Sequence, residues 1–348
     1  MKITRIIHSK NFFLLSCFSC LILFLFILPD TSSAYSETTS GGSLVATVKP
    51  PSPAPNENIT INLNGYGYDI NQAEIIWFKN NIEVSRGIGQ KSYSFTNGNL
   101  GQITVITIAL KTKDRRIIAK NITFTASEVD LLWEADTYTP NFYKGGSLPT
   151  SGSRVTVTAI PQIKSPDGNI IPSDNLIFTW RKDYKNLVKE SGVGKDSISF
   201  NVGQFPNSHN VEVVVTSSDS SIKTSKQISI PIYEPKLIIY PFKPLEGIQN
   251  NKAIGKEYTS QKDDESFKVE PFFWPNNQIN NNSISYSWKI NNKQVASSIL
   301  DNGSILNTTI GGGSGTASIE VLVSSFTNTF LRDQQSFQII LDDAFNLF

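Results

Sequence analysis

The sequence predicts an all-β chain: three β-sandwich modules in tandem behind an export segment. Three observations carry this. Trp77, Trp180 and Trp288 recur 103 and 108 residues apart. Each closes a short apolar run (residues 75–77, 176–180 and 284–288), and each is followed by a polar, turn-forming stretch. One strand-borne tryptophan per hundred residues is the spacing of repeated sandwich units. The flanking segments alternate apolar and polar residues with the period of two that strands require. No window sustains a helical period with caps at both ends.

The elements follow in order. Lys2, Arg5 and Lys10 precede an uncharged run of Phe, Leu and Ile over residues 12–28, which Pro29 and Asp30 end. Ser32, Ser33 and Ala34 follow. A basic start, an apolar stretch and a small-residue exit are the parts of a secretory signal cut after Ala34. The alternative is an uncleaved anchor, since 17 apolar residues are near the lower limit of a spanning helix. Either way the rest of the chain is expected outside the cytoplasm. Attachment to a surface would then come from this segment or from another protein. Cys17 and Cys20 both lie inside the run, so a processed chain holds no cysteine and its modules rely on core burial alone.

Residues 35–56 read as a flexible Ser/Thr/Pro-rich entry that overlaps a first strand at 44–48. Module one is expected over 44–127. Ile59, Ile61 and Leu63 share one strand face, and the Trp77 strand turns at Asn80-Asn81. A short strand spans 93–95, and strands at 103–110 and 117–124 pair across Lys113-Asp114-Arg115. Module two, 128–234, repeats the plan with strands at 155–159, 177–180, 198–200, 211–216 and 225–231. Module three, 235–341, has strands at 267–269, 284–288, 305–310, 319–323 and 337–341, with a tail at 342–348. The junctions are short, so a semi-rigid rod is expected.

A local repeat sharpens the pattern. Residues 86–95 read RGIGQKSYSF and residues 191–200 read SGVGKDSISF, with five of ten positions identical. Two glycines around a β-branched residue suit a tight bend feeding the next strand. The third module is looser here, with Asp301-Asn302-Gly303.

On these residues the chain resembles the immunoglobulin-like and PKD-like sandwiches that recur in bacterial surface proteins. The resemblance rests on the Trp strand followed by Lys79-Asn80-Asn81, Arg181-Lys182-Asp183 or Lys289-Ile290-Asn291-Asn292-Lys293. It rests too on the Gly-x-Gly bend and the late alternating strands. The Gly-Asp-Gly turn of PKD repeats and the cysteine pair of antibody-type domains are absent, so the resemblance concerns the superfold. It implies spacers, adhesive units or assembly interfaces.

The candidate sites divide by position. Trp77, Trp180 and Trp288 are expected in the module cores rather than as sugar-stacking platforms. Trp133 and Trp274 fall outside the repeated position and are candidate junction or contact aromatics. Glu134 and Asp136 point the same way on a strand and are expected on a solvated edge. Calcium is the one cofactor the sequence raises, at Asp263-Asp264-Glu265 and Asp342-Asp343, but neither cluster has the spacing of an ion-binding loop; no cofactor or metal is expected. His209, between Asn207-Ser208 and Asn210, is read as lying in a turn.

No Gly-x-Ser-x-Gly elbow is present, and the Gly-rich run 311–315 lacks the lysine and helix of a phosphate cradle. Removing residues 1–34 takes away Lys2, Arg5, Lys10 and Asp30, leaving 28 basic against 29 acidic residues. A near-neutral surface excludes a nucleic-acid partner, which needs a basic stripe. Membrane contact is expected only through an uncleaved N-terminal segment. The function expected is non-catalytic: a secreted or cell-surface spacer, adhesion or envelope-assembly component with surface proteins or glycans as partners. The alternative is an extracellular module binding glycan or peptide through end loops or an edge strand.

Overall fold

The computed structural model describes residues 36–39, 42–204, 207–260, 264–296, 300–309 and 315–341. Residues 1–34, expected from sequence to direct export, the C-terminal tail, Asp263, Asp342 and Asp343 lie outside these residues.

The first sandwich contains β1 (Ser36–Thr39), β2 (Gly42–Lys49), β3 (Asn58–Tyr66), β4 (Glu74–Lys79), β5 (Ile82–Ile88), β6 (Ser92–Thr96), β7 (Ile103–Lys111) and β8 (Ile117–Thr125). One sheet runs β1-β2-β3-β6 and the other β5-β4-β7-β8. Ile59, Ile61 and Leu63 of β3 face Ile75 and Trp77 of β4 and Ile106, Ile108 and Leu110 of β7 in one core. The alternation of β3 and β7 therefore becomes one buried face each. Burying such side chains stabilises the fold by about 1.5–3 kcal/mol apiece.

The second sandwich repeats the order with β9 (Glu128–Asp136), β10 (Arg154–Gln162), β11 (Leu176–Lys182), β12 (Lys185–Asn186), β13 (Gly192–Val193), β14 (Ser197–Asn201), β15 (Ser208–Ser217) and β16 (Lys223–Pro231). Its sheets are β14-β10-β9 and β12-β11-β15-β16, with β13 also on the outer edge of β11.

The third holds β17 (Lys236–Lys243), β18 (Gly247–Ile248), β19 (Glu257–Ser260), β20 (Asp264–Phe272), α1 (Asn276–Asn280), β21 (Ile284–Ile290), β22 (Lys293–Val295), β23 (Ile305–Thr309), β24 (Gly315–Ser325) and β25 (Arg332–Leu341). Its sheets are β18-β17-β20-β23 and β19-β25-β24-β21-β22, and β19 pairs with β25 in parallel.

In each sandwich the second long strand pairs with the first and with the strand after the bend. The Trp strand pairs with the last hairpin in the facing sheet. This is the strand order of tandem immunoglobulin-like sandwiches.

The hairpin after each Trp strand has a two-residue turn with both residues left-handed: Asn80-Asn81, Asp183-Tyr184 and Asn291-Asn292. Such turns match the twist of the flanking strands and favour asparagine. The first turn residue, three after the tryptophan, also ties the hairpin to the next strand. Asn80 Oδ1 accepts from Val105 N, Asp183 Oδ1 from Asn210 N, and Asn291 Oδ1 from Ser318 N, at 2.9, 3.0 and 2.9 Å.

By packing, the described residues up to Glu128, with Ile163–Ile170 and Thr216–Thr224, form one compact unit. The remaining described residues, which include most of the second sandwich and all of the third, form another.

Candidate functional site

Trp77, Trp180 and Trp288 are each fully buried. Each indole N–H donates to a backbone carbonyl past the bend: Trp77 to Gln90 at 2.9 Å, Trp180 to Lys195 at 2.8 Å and Trp288 to Gly303 at 2.9 Å. The bend that supplies the acceptor requires left-handed backbone, at Gly89 (φ 66°), Gly194 (φ 69°) and Gly303 (φ 91°). The last shared serine and the phenylalanine of the ten-residue repeat also have matching surroundings. Ser94 and Ser199 hydrogen-bond Thr60 and Thr156 on the neighbouring strand. Lys79 and Lys182 lie over the rings of Phe95 and Phe200 at 5.0 and 4.8 Å. The repeated motif thus anchors an indole.

His209 lies in β15, not in a turn, and is buried. Its flanking polar residues suggest a turn, but the ladder with β11 and β16 overrides them. Nδ1 is 2.8 Å from Asp183 Oδ2, which also accepts from Lys182 Nζ at 2.7 Å. Burial pushes the Asp183 carboxyl up, but hydrogen bonds from Lys182, the Asn210 N–H and His209 outweigh it and hold the group below its usual range. The cluster closes the turn after Trp180.

The fullest constellation is where the second and third sandwiches meet. The segment between β9 and β10 pairs with the end of β20: Tyr138 N donates to Trp274 O and Phe273 N to Tyr138 O, both at 2.7 Å. Thr150, fully buried, donates its hydroxyl to Phe273 O at 2.7 Å. Phe273 has φ 62°, a conformation costing a bulky residue about 1–2 kcal/mol, so both of its backbone groups are held by these bonds. Phe142 packs edge-on to Tyr240, and Tyr143 packs edge-on to Phe272 and Phe273, with centroids 5.4–5.7 Å apart.

Trp274 is fully buried in the third core, and among the described residues its indole N–H has no acceptor. Trp133 is partly buried on β9. Glu134 and Asp136 are exposed, and Asp136 accepts from Asn276 Nδ2 at 2.8 Å.

A cavity of about 190 Å³ opens beside this junction, lined by Tyr138, Lys268, Glu270, Ile279 and Tyr286 among others. Glu270 is 2% exposed; Tyr138 donates its hydroxyl to it at 2.6 Å, and Lys268 Nζ lies 3.5 Å away. Phenol and ammonium together compensate a buried carboxylate. Of the calcium candidates, Glu265 accepts from Tyr258 and Ser260, and the described residues hold no group of three or more His, Cys, Asp or Glu placed to bind a metal. No helix among the described residues is long and apolar enough to cross a membrane.

Trp274 was expected at the junction from sequence, but its partner Tyr138, 136 residues away, was not legible there. The one available sign was Trp274 itself, between Pro271 and Pro275.

No protein-family model and no curated protein matches the chain. Similar solved structures include the fibronectin(III)-like modules of Clostridium thermocellum CbhA, at 12% identity and TM-score 0.25, covering 54% of this chain and 93% of that one. Sidekick-1 immunoglobulin domains 1–5 are 9% identical at TM-score 0.29, covering 89% and 60%. The central fibronectin-III array of RIM-binding protein is 10% identical at TM-score 0.27, covering 90% and 98%. The strand pairing itself defines the sandwiches.

Proposed function

We propose that the chain is an exported, non-catalytic modular protein, a spacer or adhesion component of an envelope or surface assembly. The observation that carries this reading is the junction of the second and third sandwiches. Reciprocal backbone bonds, a buried threonine and an interlocked aromatic cluster couple two sandwiches into one body. A part that holds a contact surface at a set distance needs such coupling. The polar groups at the junction are tied to one another: Tyr138 and Lys268 to Glu270, and Thr150 to Phe273. The basic, then apolar, N-terminal segment supports export.

Hydrogen exchange on the purified chain tests the coupling. The amides of Tyr138 and Phe273 are expected to exchange as slowly as those in the middle of β20. Exchange at loop rates at these two positions would sink the proposal. So would turnover in a broad hydrolase screen that disappears on His209→Ala or Glu134→Ala. N-terminal sequencing of the exported protein decides between a released chain starting at Tyr35 and a tethered one starting at Met1.

A further inference from the structure

The cavity beside the junction is lined by one charge of each sign. Lys268 and Glu270 are two residues apart on β20, so both side chains leave the strand on the same face. Glu270 is the deeper, its side chain 3% exposed against 21% for Lys268. Lys268 Nζ and Glu270 Oε1 are 3.5 Å apart, longer than the charge-assisted contact of about 2.7–2.9 Å. The two groups therefore stand side by side, at a spacing close to that of the two charges of an α-amino acid. A carboxylate and an ammonium each make several hydrogen bonds, so each can serve a ligand while keeping its present partners. Val269 and Pro271 of the same strand, Ile279 of α1 and Ile284 of β21 supply apolar wall.

Size and charge narrow the ligand. A dry cavity of about 150 Å³ accepts benzene, so this one, about 190 Å³, holds about eight non-hydrogen atoms. That is the size of valine, and it is too small for a hexose. A purely anionic ligand would lie against Glu270, and a purely cationic one against Lys268. A molecule carrying both signs, turned head to tail against the pair, meets an opposite charge at each end. The isoleucines and the proline ask for an apolar remainder.

We propose that this cavity binds a free apolar α-amino acid the size of valine, with its ammonium on Glu270, its carboxylate on Lys268 and its side chain against Ile279 and Ile284. The second sandwich completes the site. Tyr138, which lines the cavity and donates to Glu270 at 2.6 Å, is held in place by its backbone bonds to Trp274 and Phe273. A ligand that needs Tyr138 in position binds only the closed junction, and so strengthens it by mass action. The inference goes beyond the spacer reading. That reading is tested on the Tyr138 and Phe273 amides without ligand, so the two fail separately.

The test is calorimetric titration of the full purified chain with valine, N-acetylvaline, valinamide, glutamate and glucose. Saturable binding of valine is expected with Kd about 1 mM or tighter. Blocking either charge, in N-acetylvaline or valinamide, is expected to weaken binding at least about tenfold. The variant combining Lys268→Met with Glu270→Gln removes both charges together, leaving neither uncompensated, and is expected to lose binding. Lys289→Met, which breaks the ion pair with Glu320 outside the cavity, is expected to leave binding unchanged. Unchanged unfolding temperatures verify the fold of the variants, and the blocked ligands decide the matter on the native chain if the double variant does not fold. Saturating valine is expected to slow amide exchange at Tyr138 and Phe273. The proposal is overturned if valine does not bind, if either blocked form binds as tightly, or if glutamate or glucose binds in its place. Undiminished binding by the folded double variant, or unchanged exchange at both amides, overturns it as well.

Discussion

Three glycines near the first two tryptophans form a graded experiment. Gly87, Gly89 and Gly194 all belong to the Gly-x-Gly repeats, yet the structure assigns them different demands. Gly87 lies in β5 without left-handed backbone, and a Cβ there would be 3.5 Å from the nearest atom outside its immediate neighbours, an ordinary contact. Gly194 is left-handed, but its Cβ would also find ordinary contact, 3.5 Å from Asp174 Cα. Gly89 is left-handed, and its Cβ would stand 2.9 Å from the carbonyl oxygen of Asn71.

The three Gly→Ala changes share a gain of about 0.4–1 kcal/mol from restricting the unfolded chain. Gly87→Ala is therefore expected to stabilise by about 0.5 kcal/mol. Gly194→Ala adds about 1–2 kcal/mol of backbone strain, for a net loss near 1 kcal/mol. Gly89→Ala adds the same strain and an overlap worth about 1–3 kcal/mol, for a net loss of about 2–4 kcal/mol. Native-state hydrogen exchange of β4 and β11 reads each sandwich separately, which a single melting temperature does not. Equal losses for Gly89→Ala and Gly194→Ala would refute the role of Asn71. A neutral Gly194→Ala would refute the argument from backbone handedness.

Other expectations follow from single residues. Tyr184 occupies the second left-handed turn position, where the other two sandwiches carry asparagine, so Tyr184→Asn should stabilise the second sandwich by about 0.5–1 kcal/mol, read by exchange of β11 amides. Trp180→Phe should cost about 1–2 kcal/mol more than Trp274→Phe, because only Trp180 surrenders a made indole bond; equal losses in denaturant unfolding would contradict this. The depressed Asp183 carboxyl stabilises the folded state above its ordinary value of 3.8, and that contribution is lost as pH falls through the lower folded value. Asp183→Asn keeps an oxygen for Asn210 N, so acid unfolding of the second sandwich should become less steep below pH 4. Burial, with Glu265 beside it, pushes Tyr258 up to about 12, so its neutral form contributes stability below pH 10 that is lost between 10 and about 12. Tyr258→Phe should flatten the alkaline unfolding of the third sandwich over that window, followed by far-ultraviolet circular dichroism.

The fold was legible wherever a strand buries one face and leaves the other in water. Residues 59–63, 103–110 and 319–323 show this alternation plainly, and the tryptophan spacing counted the repeats. Short edge strands such as β12 and β22 escaped, because polar residues on an edge give no period. His209 misled because its Asn and Ser neighbours are turn formers in isolation, while the ladder around it decides. Nothing local marks Tyr138 as a partner of Trp274, and nothing local separates an exposed phenylalanine such as Phe326 from a core one such as Phe267. Both distinctions are set by register across strands distant in sequence.

The parallel pairing of β19 with β25 has a mechanical consequence. Glu257–Ser260 runs alongside residues 338–341 in the same direction, through four consecutive registers. Tension applied between β19 and the end of β25 slides the two strands past one another, and the rungs share the load at once. Antiparallel strands pulled from the same end, such as the hairpin β24–β25, would yield rung by rung. Sliding one of these two strands past the other would break all four registers together.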